Sequence, residues 1–291
     1  MLYRQLGSSS LNVSRIGYGA WALGGRGWGN YHEREARRAL ESCLECGINF
    51  FDTAPLYGFG RSEEVLGEVL SGVRSDVLIA TKCGLVWNDS GQVRHDLSRD
   101  ALRRDLESSL QRLKTDYIDL YQIHWPDRRT GLEETIDELV SFQQAGVIRH
   151  IGVSNFSVQQ LQQACTLADI ASIQQLYNLL QRDAATDVLP VCSQKNLGFI
   201  AYSPLAQGVL GGEMDMSRRP GRHDVRRRNS LYRSPEKFEQ AVCYADGLSG
   251  PSAVAALRFL LEQPEVTSVL VGMTQRKHVE LNIKALDCEQ V

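Results

Sequence analysis

The sequence predicts a parallel (β/α)₈ TIM barrel, and two observations lead to that prediction. Eight short apolar runs have the length of buried strands, and amphipathic stretches with helical periodicity follow most of them. The chain also has 291 residues, a length at which such barrels commonly form one domain. We therefore expect residues 1–291 to form a single barrel domain.

The predicted elements alternate along the chain as this fold requires. The expected strands are 14–19, 48–52, 77–82, 118–124, 151–154, 173–177, 198–202 and 268–271. The expected helices include 33–46, 62–70, 98–113 (with Ser98 as N-cap), 132–145, 157–168 and 251–262. Before the first strand, YRQLGSSSLNVSRI predicts a β-hairpin that closes the bottom of the barrel. Residues 208–238, long, polar and rich in arginine, predict an irregular functional or mobile segment.

The composition excludes several classes of protein. Hydrophobic residues make up 43% and charged residues 23% of the chain, which is typical of a folded globular protein. A formal net charge of −3 gives no overall attraction to nucleic acid or to anionic membranes. No apolar run approaches the roughly 18 residues of a membrane span, and the first residues lack the pattern of a signal peptide. We expect a cytoplasmic protein with neither a nucleic-acid nor a membrane partner.

The seven cysteines do not predict a disulfide framework or a metal site. Their number is odd, and they are scattered through predicted helices and strands. Cys43 and Cys46 form one C-x-x-C pair, but it lies inside a helical stretch and has no second pair to complete a zinc site. Packing is the favoured role for this pair.

Two other motifs suggest nucleotide or nucleic-acid binding, but their contexts do not fit. GYGAWA at 17–22 matches the loose dinucleotide fingerprint, yet LGGRGWGNYHE follows it instead of an apolar helix, which excludes a Rossmann fold. The arginine-rich segment 217–228, SRRPGRHDVRRR, lacks the interleaved aromatic residues of a nucleic-acid surface. A solvated loop, or a loop that meets a phosphate, fits its charge better.

Polar residues stand at the ends of three successive predicted strands. Asp52 ends the second strand and is followed by Tyr57, Lys82 ends the third, and His124 ends the fourth. Taken singly, each has a structural explanation, such as an Asp52–Lys82 ion pair. In a (β/α)₈ barrel, however, the carboxyl ends of the strands meet at one mouth, where the chemistry is expected. An ammonium near a phenol favours the phenolate and eases proton release, while the histidine could orient a carbonyl oxygen.

Six segments then carry a resemblance that covers nearly the whole chain. In order they read FFDTAPLYGFGRSEEVLG, VLIATK, DLYQIHWPD, GVSNFS, QQLYNLLQR and AYSPLAQG. They resemble the successive signature segments of the aldo-keto reductase superfamily. The resemblance implies a barrel that binds a nicotinamide cofactor without a Rossmann domain and reduces carbonyl compounds by hydride transfer. Potassium-channel β subunits share these motifs, so a cofactor-binding sensor or accessory subunit with little turnover is the alternative.

The resemblance also implies a role for each matching residue. Tyr57 is the expected proton donor, and Asp52, Lys82 and His124 complete a tetrad. The expected cofactor contacts are Ser154, Asn155 and Gln174 at the carboxamide, Tyr202 on the nicotinamide ring, Ser203, Leu205 and Gln207 beside the pyrophosphate, and Thr274, Arg276, His278 and Asn282 at the adenosine end. The arginine-rich segment 217–228 falls where relatives often fold over the cofactor phosphates.

Two departures from the family pattern affect specificity. Where many relatives have Gly-Ala-Arg, this chain has Gly272, Met273 and Thr274, although Arg276 and Lys277 are close; we expect NADPH to be favoured, with NADH as the alternative.

The chain also stops at Val291, whereas many relatives carry a longer tail over the pocket. We therefore expect an open, permissive cleft for an apolar or aromatic carbonyl substrate. Its expected walls are Trp21, Trp87 and Trp125, although packing against a neighbouring loop is equally expected for Trp87. We expect a monomer or a weak homo-oligomer.

Overall fold

A computed structural model describes residues 1–29, 31–212, 214–221 and 224–287, and its centre is a closed barrel of eight parallel strands. Each barrel strand pairs with its neighbours in chain order, and the last pairs with the first. The barrel strands are β3 (Ile16–Gly19), β4 (Phe50–Asp52), β5 (Leu78–Cys83), β8 (Ile118–Ile123), β9 (Ile148–Ser154), β10 (Ile170–Leu176), β11 (Gly198–Tyr202) and β12 (Val266–Val271). The predicted (β/α)₈ fold is confirmed: every predicted strand is present, 198–202 at the predicted bounds and the others at shifted bounds.

Helices cover the outside of the barrel. The six predicted helices are present as α1 (Glu33–Glu45), α2 (Arg61–Leu70), α3 (Arg99–Leu113), α4 (Leu132–Gln144), α5 (Val158–Leu167) and α10 (Ser252–Leu261). The others are α6 (Asp183–Thr186), α7 (Leu189–Lys195), α8 (Ser230–Arg233), α9 (Pro235–Asp246) and α11 (Arg276–Asn282). In the described part of the chain, no helix has both the length and the apolar character that crossing a membrane would need.

The N-terminal hairpin closes the bottom of the barrel, as predicted. Its strands β1 (Tyr3–Gln5) and β2 (Asn12–Ser14) pair antiparallel. Leu6, Leu11 and Val13 are buried in one apolar cluster with residues of the barrel interior, including Phe50 and Leu120. Because the floor is sealed by side chains, access to the barrel interior is from the opposite end of the strands.

Alternation along each barrel strand decides which side chains reach that interior. In β5, Ala80 belongs to the interior cluster, whereas Ile79 and Cys83 pack in the outer core beneath the helices. Side chains two residues apart lie on the same face of a strand. Lys82 therefore lies on the interior side, one layer above Ala80 and nearer the mouth.

The structure differs from the sequence prediction in three local features. Ser98 occupies the N-cap position of α3, but its hydroxyl donates to Asp96 Oδ1 at 2.6 Å and does not cap the helix. A second hairpin, β6 (Leu85–Trp87) and β7 (Val93–His95), follows β5. The helix α9 begins inside the segment expected to be irregular.

Cys43 and Cys46 are free thiols. Cys43 is buried in the outer core, and Cys46 packs against it from a partly buried position. Within the described residues, no cluster of three or more His, Cys, Asp or Glu side chains could hold a metal ion.

Candidate active site at the barrel mouth

Asp52 is a buried carboxylate whose two oxygens accept three hydrogen bonds. It ends β4 on the interior face, and its side chain is 4% exposed. Lys82 Nζ donates to Oδ1 at 2.5 Å, while Gln122 Nε2 and Gln174 Nε2 donate to Oδ2 at 3.0 and 2.8 Å. A buried carboxylate needs such partners because leaving it unpaired is costly. The acid at this strand end is therefore the anchor of a polar network.

Lys82 has all three of its N–H donors directed at fixed acceptors. Besides Asp52, the ammonium donates to the carbonyl oxygen of Thr53 at 2.8 Å and to Tyr57 Oη at 3.3 Å. Burial alone would lower the pKa of Lys82, but the charge and hydrogen bond of Asp52, together with Tyr57, outweigh it and raise the pKa above the ordinary value. The ammonium is held in one orientation, with one donor at the phenol.

Tyr57 lies on the turn after β4, and a close contact with the first loop fixes that turn. A Cβ at Gly24 would lie 2.6 Å from the carbonyl carbon of Tyr57 and 2.6 Å from the nitrogen of Gly58, so only glycine fits. Gly58 itself has a φ of +65°, a conformation that glycine adopts without strain. The backbone that carries the phenol is therefore held by two glycines in contact.

The pKa of Tyr57 is raised above its ordinary value, because burial outweighs the opposing effect of Lys82. The ammonium does lower the pKa, in the direction predicted from the sequence, but it is not the larger effect. The phenol therefore keeps its proton at neutral pH.

His124 follows β8 and faces the phenol. Its ring meets that of Tyr57 edge to face, with centroids 5.9 Å apart, and the residue is 8% exposed. Burial, followed by the charges of Lys82 and His95, lowers the pKa of His124 well below its ordinary value. The imidazole is thus neutral at neutral pH and has an N–H that can donate to a carbonyl oxygen.

These four residues surround one end of a large cavity that opens at the mouth. The cavity has a volume of about 1320 Å³, and Asp52, Tyr57 and His124 line it. The structure therefore brings the predicted tetrad together, with Lys82 buried behind the phenol.

The residues expected near a carboxamide and a nicotinamide ring form a second hydrogen-bonded group on the wall of this cavity. Tyr202 Oη donates to Asn155 Oδ1 at 2.8 Å, and Asn155 Nδ2 donates to Ser154 Oγ and to the carbonyl oxygen of His124, each at 3.0 Å. The Ser154 hydroxyl donates to the carbonyl oxygen of Gln174. All four side-chain positions border the cavity.

The loop after β11 continues this wall. Ser203, Leu205 and Gln207 line the cavity, and Ser203 and Gln207 have positive φ values of 52° and 56°. Asn178 Nδ2 donates to the carbonyl oxygen of Ser203 at 3.0 Å. Within the described residues, Gln207 Oε1 and Trp28 Nε1 are buried without a hydrogen-bond partner.

The far end of the cavity is lined by part of the predicted adenosine-binding set. Thr274, His278 and Asn282 line it, but Arg276 does not, because its side chain is 67% exposed and pairs with Glu280 at 2.9 Å. Glu35, which no sequence motif indicated, also lines this end.

The predicted aromatic walls are only partly present. Trp21 and Trp125 line the cavity, whereas Trp87 packs against Phe59, with ring centroids 5.3 Å apart, and is not among the lining residues. Trp28, which the sequence analysis did not single out, lines the cavity beside Trp21 at a centroid distance of 5.0 Å.

Part of the arginine-rich segment packs across the mouth. The Val225 amide donates to the carbonyl oxygen of Gly27 at 3.0 Å. Arg226 pairs with Asp224 at 2.7 Å and lies 5.7 Å from the ring centroid of Trp28. Residues 222 and 223, and the side chain of Arg218, lie outside the described part of the chain. The described portion bridges to the first loop and lines the cavity.

Gln122 is the buried residue of this network that the sequence analysis missed. Besides holding Asp52, its Oε1 accepts from Gln174 Nε2 at 3.2 Å, which joins β4, β8 and β10 through side chains. Its position two residues before His124 in a buried strand was the available signal, because that spacing places both side chains on the interior face.

Comparison with known proteins is consistent with this architecture. The family model for the aldo/keto reductase family matches residues 15–291. An aldo-keto reductase of Bacillus subtilis (strain 168), YhdN, is 36% identical over 289 residues, covering 96% of this chain and 87% of that protein. The NADH-specific methylglyoxal reductase of Escherichia coli (strain K12) is 33% identical, covering 97% and 92%.

Two further matches complete the comparison. A probable voltage-gated potassium channel subunit beta of Oryza sativa subsp. japonica is 33% identical, and the match covers 99% of this chain and 92% of that protein. The solved structure of the glycerol dehydrogenase AKR11B4 from Gluconobacter oxydans superposes with a TM-score of 0.85 at 32% identity, covering 98% and 94%. Since the family model and relatives above 30% identity span almost all of the sequence, the chain belongs to the aldo/keto reductase family.

Proposed function

We propose that this protein is an NAD(P)H-dependent carbonyl reductase in which Tyr57 protonates the carbonyl oxygen of an aldehyde or ketone. The observation that carries the proposal is the position of Lys82 Nζ, 2.5 Å from Asp52 Oδ1 and 3.3 Å from Tyr57 Oη, at the end of a cavity large enough for a dinucleotide and a substrate. A bound reduced nicotinamide would supply the hydride that the carbonyl carbon accepts.

The four residues divide the remaining work. Tyr57 keeps its proton at neutral pH and gives it to the carbonyl oxygen as negative charge develops there. Lys82 stabilises the phenolate left behind, and Asp52 holds the ammonium in place. The neutral imidazole of His124 donates a hydrogen bond that orients the carbonyl oxygen toward the phenol.

The wall beside the tetrad fits the nicotinamide end of such a cofactor. Asn155 and Tyr202 are fixed by their mutual hydrogen bond, while Gln174 uses its amide nitrogen within the Asp52 network. A carboxamide would therefore meet Ser154, Asn155 and the amide oxygen of Gln174, with the Tyr202 ring beside the nicotinamide. Gln207, on the loop after β11, also lines the cavity, which supports a contact further along the same ligand.

The proposal predicts a simple pH dependence of reduction. Because the pKa of Tyr57 is raised, the phenol stays protonated through neutral pH, and reduction should slow only in the alkaline range. Because the pKa of His124 lies well below 6.5, no loss of activity should appear near that value. Alcohol oxidation needs the phenolate and should instead accelerate as the pH rises.

The measurement for this prediction is the pH profile of kcat in both directions with saturating cofactor. An inflection of the reductive rate near 6.5 would contradict the neutral imidazole assigned to His124.

The lining of the far end favours NADH over NADPH, in contrast to the preference expected from the sequence. That expectation depended on Arg276 and Lys277, but neither residue is among those that line the cavity, and Arg276 pairs with Glu280. The lining instead contains Thr274 and Glu35, and the carboxylate of Glu35 accepts a hydrogen bond from Gln275 Nε2 at 3.1 Å. A carboxylate tolerates a ribose hydroxyl and repels a 2′-phosphate.

We expect NADH to bind about fivefold more tightly than NADPH or better, as a single repulsion of about 1 kcal/mol between charges 4 Å apart in water would give. Titration of each cofactor by fluorescence gives the two dissociation constants. Glu35→Gln should reduce the ratio of the NADPH dissociation constant to the NADH dissociation constant. Glu41→Gln, on the same helix α1 but outside the lining, should leave this ratio unchanged. Tighter binding of NADPH than of NADH by the wild type would exclude the proposed preference for NADH.

The experiment that tests the function itself is steady-state turnover of a broad panel of aldehydes with reduced cofactor, comparing the wild type with Tyr57→Phe. The second candidate function is that of a cofactor-binding accessory subunit, because a potassium channel subunit beta is among the relatives. Tight cofactor binding, with turnover no higher than that of the variant, would favour the accessory role.

A further inference from the structure

Arg26 places a guanidinium on the wall of the cavity that also contains Tyr57 and His124. The guanidinium carbon lies 4.4 Å from the centroid of the Phe59 ring, and the other neighbour of that ring is Trp87, at 5.3 Å. A cation over an aromatic face is attracted to the ring electrons. Although Arg26 is an exposed residue, its head group is therefore held against the cavity wall.

The backbone beneath Arg26 is also fixed relative to the reacting phenol. Its amide donates to the carbonyl oxygen of Gly24 at 2.7 Å. Gly24 is the residue whose backbone packs against Tyr57 and Gly58, without room for a Cβ on either side. The backbone that carries Arg26 is therefore fixed relative to the backbone that carries Tyr57 by two loops in contact.

Within the described residues, the guanidinium of Arg26 has no hydrogen bond or ion pair. Only two carboxylates line the described cavity, Glu35 and Asp52. Glu35 lies beside Gln275 at the far end, and Asp52 is engaged by Lys82 and two amides. No carboxylate of the lining is thus paired with Arg26, whose five N–H donors suit a carboxylate or a phosphate.

We propose that Arg26 is a specificity residue that binds an anionic group of the substrate, so that the preferred carbonyl compounds carry a carboxylate or a phosphate remote from the carbonyl. This inference rests on the proposed function, because it names the substrate class of the same site. The aromatic walls contact the carbon chain, the tetrad receives the carbonyl, and Arg26 fixes the opposite end of the molecule.

The test compares substrates that carry an anionic group with neutral counterparts that lack it. Succinic semialdehyde is compared with its methyl ester, and glyceraldehyde 3-phosphate with glyceraldehyde, which separates the carboxylate from the phosphate. We expect the wild type to prefer at least one anionic member by about tenfold or more in kcat/KM, as a hydrogen bond to a charged group would give. Arg26→Gln should abolish that preference through KM, with the neutral substrates changed by less than about threefold.

Arg94→Gln is the matched control. Arg94 is also an exposed arginine near the mouth, on β7, but it pairs with Asp96 at 2.9 Å and does not line the cavity. The Arg94→Gln variant should prefer anionic substrates as strongly as the wild type does. Arg26→Lys should keep part of this preference. Added salt should weaken the preference of the wild type, because exposed charges are screened.

A binding measurement separates this inference from the proposed function. All four tryptophans of the chain lie at the mouth, three in the lining and Trp87 beside Phe59. The quenching of their fluorescence by 4-hydroxybutyrate, the alcohol product of succinic semialdehyde, therefore reports occupancy of the site without turnover. Weaker quenching in Arg26→Gln than in Arg94→Gln would uphold the inference even if no aldehyde were reduced. Equal quenching in both variants, or a wild type that prefers the methyl ester and the unphosphorylated aldehyde, would overturn it.

Discussion

Replacing Tyr57 with phenylalanine should lower kcat for carbonyl reduction by about 10²- to 10⁴-fold, the usual contribution of a positioned general acid. The substitution removes only Oη. Lys82 keeps its bonds to Asp52 and to the carbonyl oxygen of Thr53, so the network behind the phenol should persist. Cofactor affinity should change little, because the phenol belongs to the proton-transfer step. Stopped-flow measurement of hydride transfer under single-turnover conditions gives the effect directly.

Tyr3→Phe is the control for this experiment. Tyr3 Oη also donates a hydrogen bond, to the carbonyl oxygen of Gly47 at 2.8 Å, but it lies on the hairpin at the bottom of the barrel. Its variant should reduce aldehydes at the wild-type rate. If Tyr57→Phe retained wild-type kcat, another group would have to be the proton donor.

Replacing Lys82 with methionine should cost both activity and stability. The methionine leaves Asp52 buried without its cation, and removing one partner of a buried ion pair typically costs about 3–5 kcal/mol. The side chains of the pair are 1% and 4% exposed, so water cannot compensate. We expect the free energy of unfolding in urea to fall by an amount of this order, and kcat to fall because no ammonium remains to stabilise the phenolate.

The double variant Lys82→Met/Asp52→Asn separates the two effects. It removes the unpaired charge, so part of the stability should return, while activity should stay as low as in the single variant. Restored activity in the double variant would show that the ammonium has no role in the reaction. An unchanged unfolding free energy in Lys82→Met would contradict the buried pair.

The barrel could be predicted because its signals are local. Apolar runs with strand length recur eight times, and three successive runs end in Asp52, Lys82 and His124. The parallel topology brings these strand ends to one mouth, so the three side chains meet as expected. The helix α9 was also predictable in principle, since Ser234 accepts from the Lys237 amide and proline follows it. The segment expected to be irregular, 208–238, instead overlaps the first residues of this helix.

Other features depend on contacts that no local pattern encodes. The Val225 amide reaches the carbonyl oxygen of Gly27 across about two hundred residues of sequence, so the bridge over the mouth is visible only in three dimensions. The four-residue spacing of Arg276 and Glu280 allows them to pair on one helix. Spacing alone does not decide whether Arg276 binds Glu280 or a cofactor phosphate. The pKa of Tyr57 could not be predicted from the sequence either. Its rise depends on how deeply all the neighbours of the phenol bury it, and that burial outweighs the effect of the Lys82 ammonium.

The contact between Gly24 and Gly58 means that different parts of the fold hold the reacting groups of this site. Lys82 and Asp52 lie on barrel strands, whereas the position of the Tyr57 phenol depends on two loops whose backbones touch at Gly24 and Gly58. Variation in the first loop can therefore shift the proton donor by fractions of an ångström while leaving the barrel untouched. Descendants of this sequence could change what they reduce, and how fast, without altering any residue that takes part in the reaction.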